Sequence, residues 1–375
     1  MPEKFETSLP DWVPEFRSRF PWWGGHLQTL GQRFHRPEPL DNRFESTEHL
    51  LPLNDGTDDC LAAVLYEPRE SVFSVEDRPS PLIVLLHGLG GTSQSNYIQL
   101  SADCLLRKGH RVLLINFRGA GESAGVCSEL HHPGRAEDVA RLLTAVKEET
   151  AAKLQEAGVV LVGYSLGGSV LLKYLGESDL KAPGASVDEA VGSGDNRDRE
   201  TTAGVLGAVT ISAPLDLEAT SKCLRRPSRW IYQEYLLRRM REQALSGDAN
   251  VSAAERAVVE KAESVWEFDE KFTAPRCGFD CVTDYYEAYS ARKVLSKIEV
   301  PTLLIYAAGD PFVPSEQYHE VDWSSLPCLQ PLIVPSGGHC GFQAAGLDGS
   351  WHDHCIDEFV RRLIGAHPSQ SDSGR

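Results

Sequence analysis

The chain has 375 residues, 41% of them hydrophobic and 24% charged, which is enough for a sizeable core in one large α/β domain or two ordinary ones. Its formal net charge of −17 argues against nucleic acid or an anionic membrane as the main partner, because both would repel it. No signal-peptide core or membrane-length apolar run is visible, and nine scattered cysteines do not form a disulfide framework, so a reducing cytoplasm and a monomer are the default expectations.

Residues 1–50, rich in Pro, Trp and Phe, are expected to form an irregular segment that packs on a core. From there, short runs of Val, Ile and Leu read as buried parallel strands: "PLIVLLHG" (81–88), "RVLLINFRG" (111–119), "GVVLVGYS" (158–165), "LGAVTISAP" (206–214), "PTLLIYAAGD" (301–310) and "LQPLIVPSG" (329–337). Helix-like stretches such as "NYIQLSADCLLRKG" and "RAEDVARLLTAVKEE" lie between them. The alternation predicts a mostly parallel sheet with helices on both faces, built from residues 51–214 and 296–375. Two intervals interrupt it. Residues 177–203 are polar and glycine-bearing and read as a flexible insertion, whereas 215–295 carry helical spacing without strand signals and read as a helical cap.

The strand ending at Tyr164 runs into Gly163-Tyr-Ser165-Leu-Gly167, and "LGGSVLLKYLGE" continues as a helix. A sharp strand-to-helix turn presents the serine hydroxyl at the C-terminal edge of the sheet, and the flanking glycines let strand and helix pass closely. A serine hydroxyl is a weak nucleophile until a base takes its proton. Asp310, ending the strand "PTLLIYAAGD", and His339, in "PSGGHCGF", follow in the order that such a relay needs. Asp216, after the preceding strand, is a rival acid. Backbone N–H groups of Leu166 and of Leu89, in "HGLGGTSQSNY", are the candidate donors to an oxyanion.

Taken singly, each residue has a bland explanation: a polar turn serine, a capping aspartate, a satisfied loop histidine. Jointly, in this order and on one sheet edge, they point to acyl transfer through a serine. Arg118 is expected to brace its loop by pairing with a carboxylate. His26 is expected to pack or tether a loop. No metal site is expected, because His131-His132, His352-x-His354 and the close pair Cys277 and Cys281 lack companions at ligand spacing. The segment "RWIYQEYLLRRM" could offer an apolar face to lipid, but an amphipathic helix of this kind usually packs on its own sheet.

Beyond this turn, the chain resembles the α/β-hydrolase superfamily, and within it the YheT-like group related to the ABHD esterases and phospholipases. The resemblance runs from about Pro21 to Leu363. It is carried by "GGHLQTL" (24–30), "HGLGGTSQSNY" (87–97), "NFRGAGES" (116–123), "GYSLGGSVLLKYLGE" (163–177), "FDEKFTAPRCGFDCVTDYYEAYSA" (268–291) and "GGHCGF" (337–342). Gly25 stands where the group usually has Pro. The resemblance implies an α/β-hydrolase fold, a charge relay of Ser165, Asp310 and His339, and hydrolysis of carboxylic esters, acylglycerols or phospholipids among them, without a cofactor. Aromatic residues in 215–295 favour medium or longer acyl chains in a small-molecule or lipid ester. A thioesterase, lactonase or amidase using the same residues, or a non-catalytic binding protein on the same scaffold, are the alternatives.

Overall fold

The computed structural model describes residues 9–34, 37–68, 80–149, 158–178, 204–246 and 249–365. Most of the expected insertion, residues 179–203, lies outside them.

Eight strands form one mixed sheet. They are β1 (Glu45–Pro52), β2 (Cys60–Glu67), β3 (Leu82–Leu86), β4 (Arg111–Ile115), β5 (Val159–Tyr164), β6 (Val205–Ile211), β7 (Thr302–Ala307) and β8 (Leu329–Val334), in the spatial order β1-β2-β4-β3-β5-β6-β7-β8. From β4 to β8 every pairing is parallel. β1 and β2 form an antiparallel pair that joins the sheet antiparallel to β4. The apolar runs of the sequence correspond to β3 through β8. The N-terminal segment contributes an unexpected strand and a helix, Gly24–Gly31 (α1). β1 lies at the sheet edge, and its first four residues are exposed, so it shows no apolar run to read.

The central strands are buried on both faces, and side-chain alternation divides them between two layers. In β3, Leu82, Val84 and Leu86 belong to one hydrophobic cluster, while Ile83 and Leu85 belong to the other. The second layer also takes Ile98, Ala102 and Leu105 of helix α2 (Asn96–Arg107), together with Ile356, Phe359 and Val360 near the C-terminus. The first takes Val139 and Leu142 of α3 (Glu137–Glu149) and Val170 to Leu172 of α4 (Leu166–Glu177).

Between β6 and β7 the described residues hold helices and no strand: α5 (Leu217–Leu224), α6 (Trp230–Leu245), α7 (Ala253–Lys261), α8 (Val265–Phe268) and α9 (Val282–Tyr289). A π-helical turn, Asp269–Thr273, extends α8. Leu236, Leu237 and Met240 of α6 pack into the first layer. The C-terminal helix α10 (Trp351–Leu363) closes the other face.

Candidate active site

β5 feeds directly into α4 through Ser165, which sits at φ 50° and ψ −121°, a positive φ at which a non-glycine residue is strained. Its N–H is held by Ile211 O at 2.8 Å, and its carbonyl accepts from Gly168 and Ser169. The turn is tight enough to require glycine: a Cβ on Gly163 would lie 2.6 Å from Gly168 Cα, and one on Gly167 would lie 2.5 Å from His87 O.

His339 Nε2 lies 2.8 Å from Ser165 Oγ, and His339 Nδ1 lies 3.0 and 3.2 Å from the two carboxylate oxygens of Asp310. A carboxylate only accepts, so Nδ1 carries the proton and Nε2 presents its lone pair to the serine O–H. Asp310 is aimed by its own turn, since Oδ1 accepts the N–H groups of Phe312 and Val313 at 2.7 and 3.1 Å. The Phe312 ring lies almost parallel to the imidazole, with centroids 4.0 Å apart. A hydroxyl in this arrangement can pass its proton to the imidazole while the buried carboxylate stabilises the resulting cation.

The glycine-rich loop after β3 reaches the same point. A Cβ on Gly88 would lie 3.0 Å from Ser165 Cβ. His87, fully buried, receives the Phe117 N–H at Nε2, so its Nδ1–H is the donor to Gly88 O, 2.9 Å away. Burial pushes the His87 pKa down to about 4, keeping it neutral in this tautomer. Gly91 N–H donates to the same carbonyl. In a trans peptide the N–H points opposite to the carbonyl, so these two bonds orient the Leu89 N–H. Among the described residues neither the Leu89 nor the Leu166 N–H donates to a protein acceptor. Both residues line one cavity with Ser165 and His339.

That cavity, of about 260 Å³, is lined by apolar side chains such as Leu217, Leu224, Leu236, Met240, Val265 and Phe268, and by polar ones such as His131, His132, Arg135, Gln243 and Asp269. A second one, of about 610 Å³, also reaches Ser165 and His339 and is bordered by Arg33, Gln94, Tyr232 and Arg239. Asp269 is buried in the wall of the first cavity, where it accepts from Tyr286 OH and Thr273 Oγ1; burial raises its pKa to about 6.

The other residues singled out from the sequence have distinct surroundings. Asp216 caps α5 by accepting Ala219 N–H at 2.9 Å and makes no contact with His339. Arg118, fully buried, pairs with Asp55, Asp59 and Asp138 and braces its loop. His26 tethers α1 to α6: Arg229 donates to Nε2, which leaves Nδ1–H to bond Tyr232 OH at 2.8 Å. His131 stacks on Phe117 at 3.8 Å, and His132 meets the Cys277 sulfur. Among the described residues no group of three His, Cys, Asp or Glu side chains could hold a metal ion.

Most of "GGHLQTL" carries no chemistry that is legible from the sequence. In the structure Thr29 Oγ1 accepts the His339 N–H, and Gln28 bonds Gln343 through both its amide oxygen and nitrogen. The neighbouring Gln32 amide reaches Cys340 O. Gly25 is packed so closely on Gly309 that an added Cβ would lie 1.7 Å from Gly309 O. This explains glycine there, and no side chain at all would fit without moving the loop.

Residues 83–348 match the family model described as "Alpha/beta hydrolase family". The chain is 26% identical over 372 residues to the mouse protein named phospholipase ABHD3, covering 97% of this chain and 82% of that one. It is 28% identical over 320 residues to the Escherichia coli putative esterase YheT, covering 84% of each. Among solved structures, the Pyrococcus furiosus esterase Pf2001 superposes with a TM-score of 0.54 at 13% identity, covering 88% of this chain and 97% of that one, a likeness of fold.

Proposed function

The chain belongs to the alpha/beta hydrolase family, and on that premise we propose that it is a serine esterase whose charge relay is Ser165, Asp310 and His339. The observation that carries this reading is the pair of contacts made by one imidazole, 2.8 Å to the serine hydroxyl and 3.0 Å to the carboxylate. The esterase and phospholipase named among its relatives support ester chemistry.

Ser165 Oγ attacks the ester carbonyl as His339 Nε2 takes its proton. The carbonyl oxygen becomes an oxyanion that accepts from the Leu89 and Leu166 N–H groups. When the tetrahedral adduct collapses, His339 returns the proton to the departing alkoxide and an acyl-Ser165 ester remains. A water molecule, deprotonated by His339, repeats the cycle and releases the acid. Each oxyanion donor contributes about 10²–10³ in turnover. The helices between β6 and β7 act as a cap, and their Leu, Met and Phe side chains suit a medium or longer acyl chain in the 260 Å³ cavity.

The test is hydrolysis of p-nitrophenyl esters from acetyl to palmitoyl by wild type and Ser165→Ala, with fluorophosphonate labelling alongside. Activity and labelling lost together in the variant support the reading. Full activity in Ser165→Ala would sink it. Labelling without ester turnover would redirect the same serine to thioesters, lactones or amides.

A further inference from the structure

Seven large apolar side chains are exposed among the described residues, and six of them, Phe20, Trp23, Leu27, Phe34, Trp230 and Ile231, come from two short segments. One segment is α1 with its flanks, and the other is the first turn of α6. They are neighbours, because His26 bonds both Arg229 and Tyr232 and stacks on the Tyr232 ring. Trp23 is the extended residue that precedes α1, and Leu27 lies on the helix itself. Phe20 packs edge-on against Trp23, and Phe34 stacks on Trp22. Phe20 and Trp230 are 72% and 64% exposed, values at odds with a surface left to water.

The charge of this patch departs from that of the whole chain. Residues 18–34 and 225–233 contain five arginines, Arg19, Arg33, Arg225, Arg226 and Arg229, and no aspartate or glutamate; Glu15 and Glu38 flank the first segment, and Glu234 follows the second. Exposed aromatic side chains on segments that also carry arginine suit the boundary between acyl chains and anionic headgroups. A second copy docking by the same face would bring two arginine-rich pairs of segments together, like charge against like.

We propose that this aromatic and arginine patch docks the protein on an anionic lipid surface. The patch adjoins the site, since Ile231 and Tyr232 border the second cavity together with Gly88, Ser165 and His339. A docked molecule therefore turns that cavity toward the acyl layer, and an ester can reach Ser165 without crossing water. That last consequence rests on the esterase reading; the docking does not. The net charge of −17 argues against an anionic membrane for the chain as a whole but not for this face alone, because charges more than about 10 Å from the surface are screened at ordinary salt and the local segments carry the opposite sign.

The experiment is vesicle flotation, which needs no turnover, so its failure and the failure of the esterase reading are separate results. Wild type should float with phosphatidylcholine vesicles containing phosphatidylglycerol, float less with phosphatidylcholine alone, and be released by about 0.5 M salt. Trp23→Ser and Trp230→Ser should each lower partitioning about tenfold while leaving hydrolysis of a short soluble ester unchanged. Absence of wild-type flotation would overturn the proposal, as would equal flotation by the double variant. A wild-type dimer in sedimentation velocity that the double variant dissolves would assign the patch to self-association instead.

Discussion

Thr29 Oγ1 accepts the backbone N–H of His339 at 2.8 Å and donates its own proton to Gly25 O at 2.7 Å, so one hydroxyl joins α1 to the histidine loop. The loop beside it is glycine by necessity, since a Cβ on Gly338 would lie 2.4 Å from Gly25 O. The imidazole is thereby held from two sides, by Asp310 at its ring and by α1 at its backbone.

Thr29→Val keeps the side-chain shape and leaves the His339 N–H without a partner. An unpaired buried donor costs about 1–3 kcal/mol, and the loop relaxes to avoid it. Turnover should fall about tenfold with KM nearly unchanged, and Thr29→Ser should restore it. Steady-state kinetics of the three proteins decide. A rise in KM alone would mean that Thr29 serves the substrate rather than the histidine.

Only Asp310 touches the His339 ring, whereas Asp216 caps a helix, so the two carboxylates should respond differently to substitution. Asp310→Asn removes the acceptor that holds the productive tautomer and should lower turnover by about 10⁴. Asp216→Ala removes a helix cap, so it should cost about 1 kcal/mol in stability while leaving turnover within about twofold. Melting curves and rates on the same preparations test both, and a severe activity loss in Asp216→Ala would reinstate it as the relay acid.

Met240 is buried and faces the smaller cavity. Met240→Phe puts a rigid ring into that space. The preferred acyl chain should shorten, with acetyl ester hydrolysis kept as the control for folding; overpacking costs about 1–3 kcal/mol. An unchanged chain-length profile would move the acyl group to the larger cavity.

Asp269 gives a pH signature. Its folded pKa is raised from 3.8 to about 6 by burial, so the folded protein binds the proton more tightly than the unfolded chain. Stability therefore falls as pH rises through that window, by up to about 3 kcal/mol, and stays lower above it. Asp269→Asn, which can still accept from Tyr286 and Thr273, should be more stable than wild type at pH 7.5, with the difference vanishing near pH 4. Denaturant unfolding at the two pH values measures it, and equal stability at both would show that the carboxylate is compensated.

The turn at Ser165 and the positions of Asp310 and His339 on strand-end loops were legible because buried parallel strands leave apolar runs, and the loop after each run emerges at one sheet edge. β1 was not legible: an exposed edge strand such as "ESTEHLLP" has no such run. Nor was the work of Gln28 and Thr29, since their partners His339 and Gln343 lie more than 300 positions away. For His26 the sequence offered tethering, and only the structure supplied its partners, Arg229 and Tyr232.

By itself, then, the sequence determined the parallel part of the sheet and the order of the groups along its edge, because local patterning encodes strands, turns and the faces they bury. Which carboxylate meets the imidazole, which peptide N–H groups stand free beside Ser165, and why arginines and aromatics from opposite halves of the chain form one patch were decided by tertiary structure alone. Those relations depend on which segments pack together, and a contact between distant residues leaves no periodicity in either one.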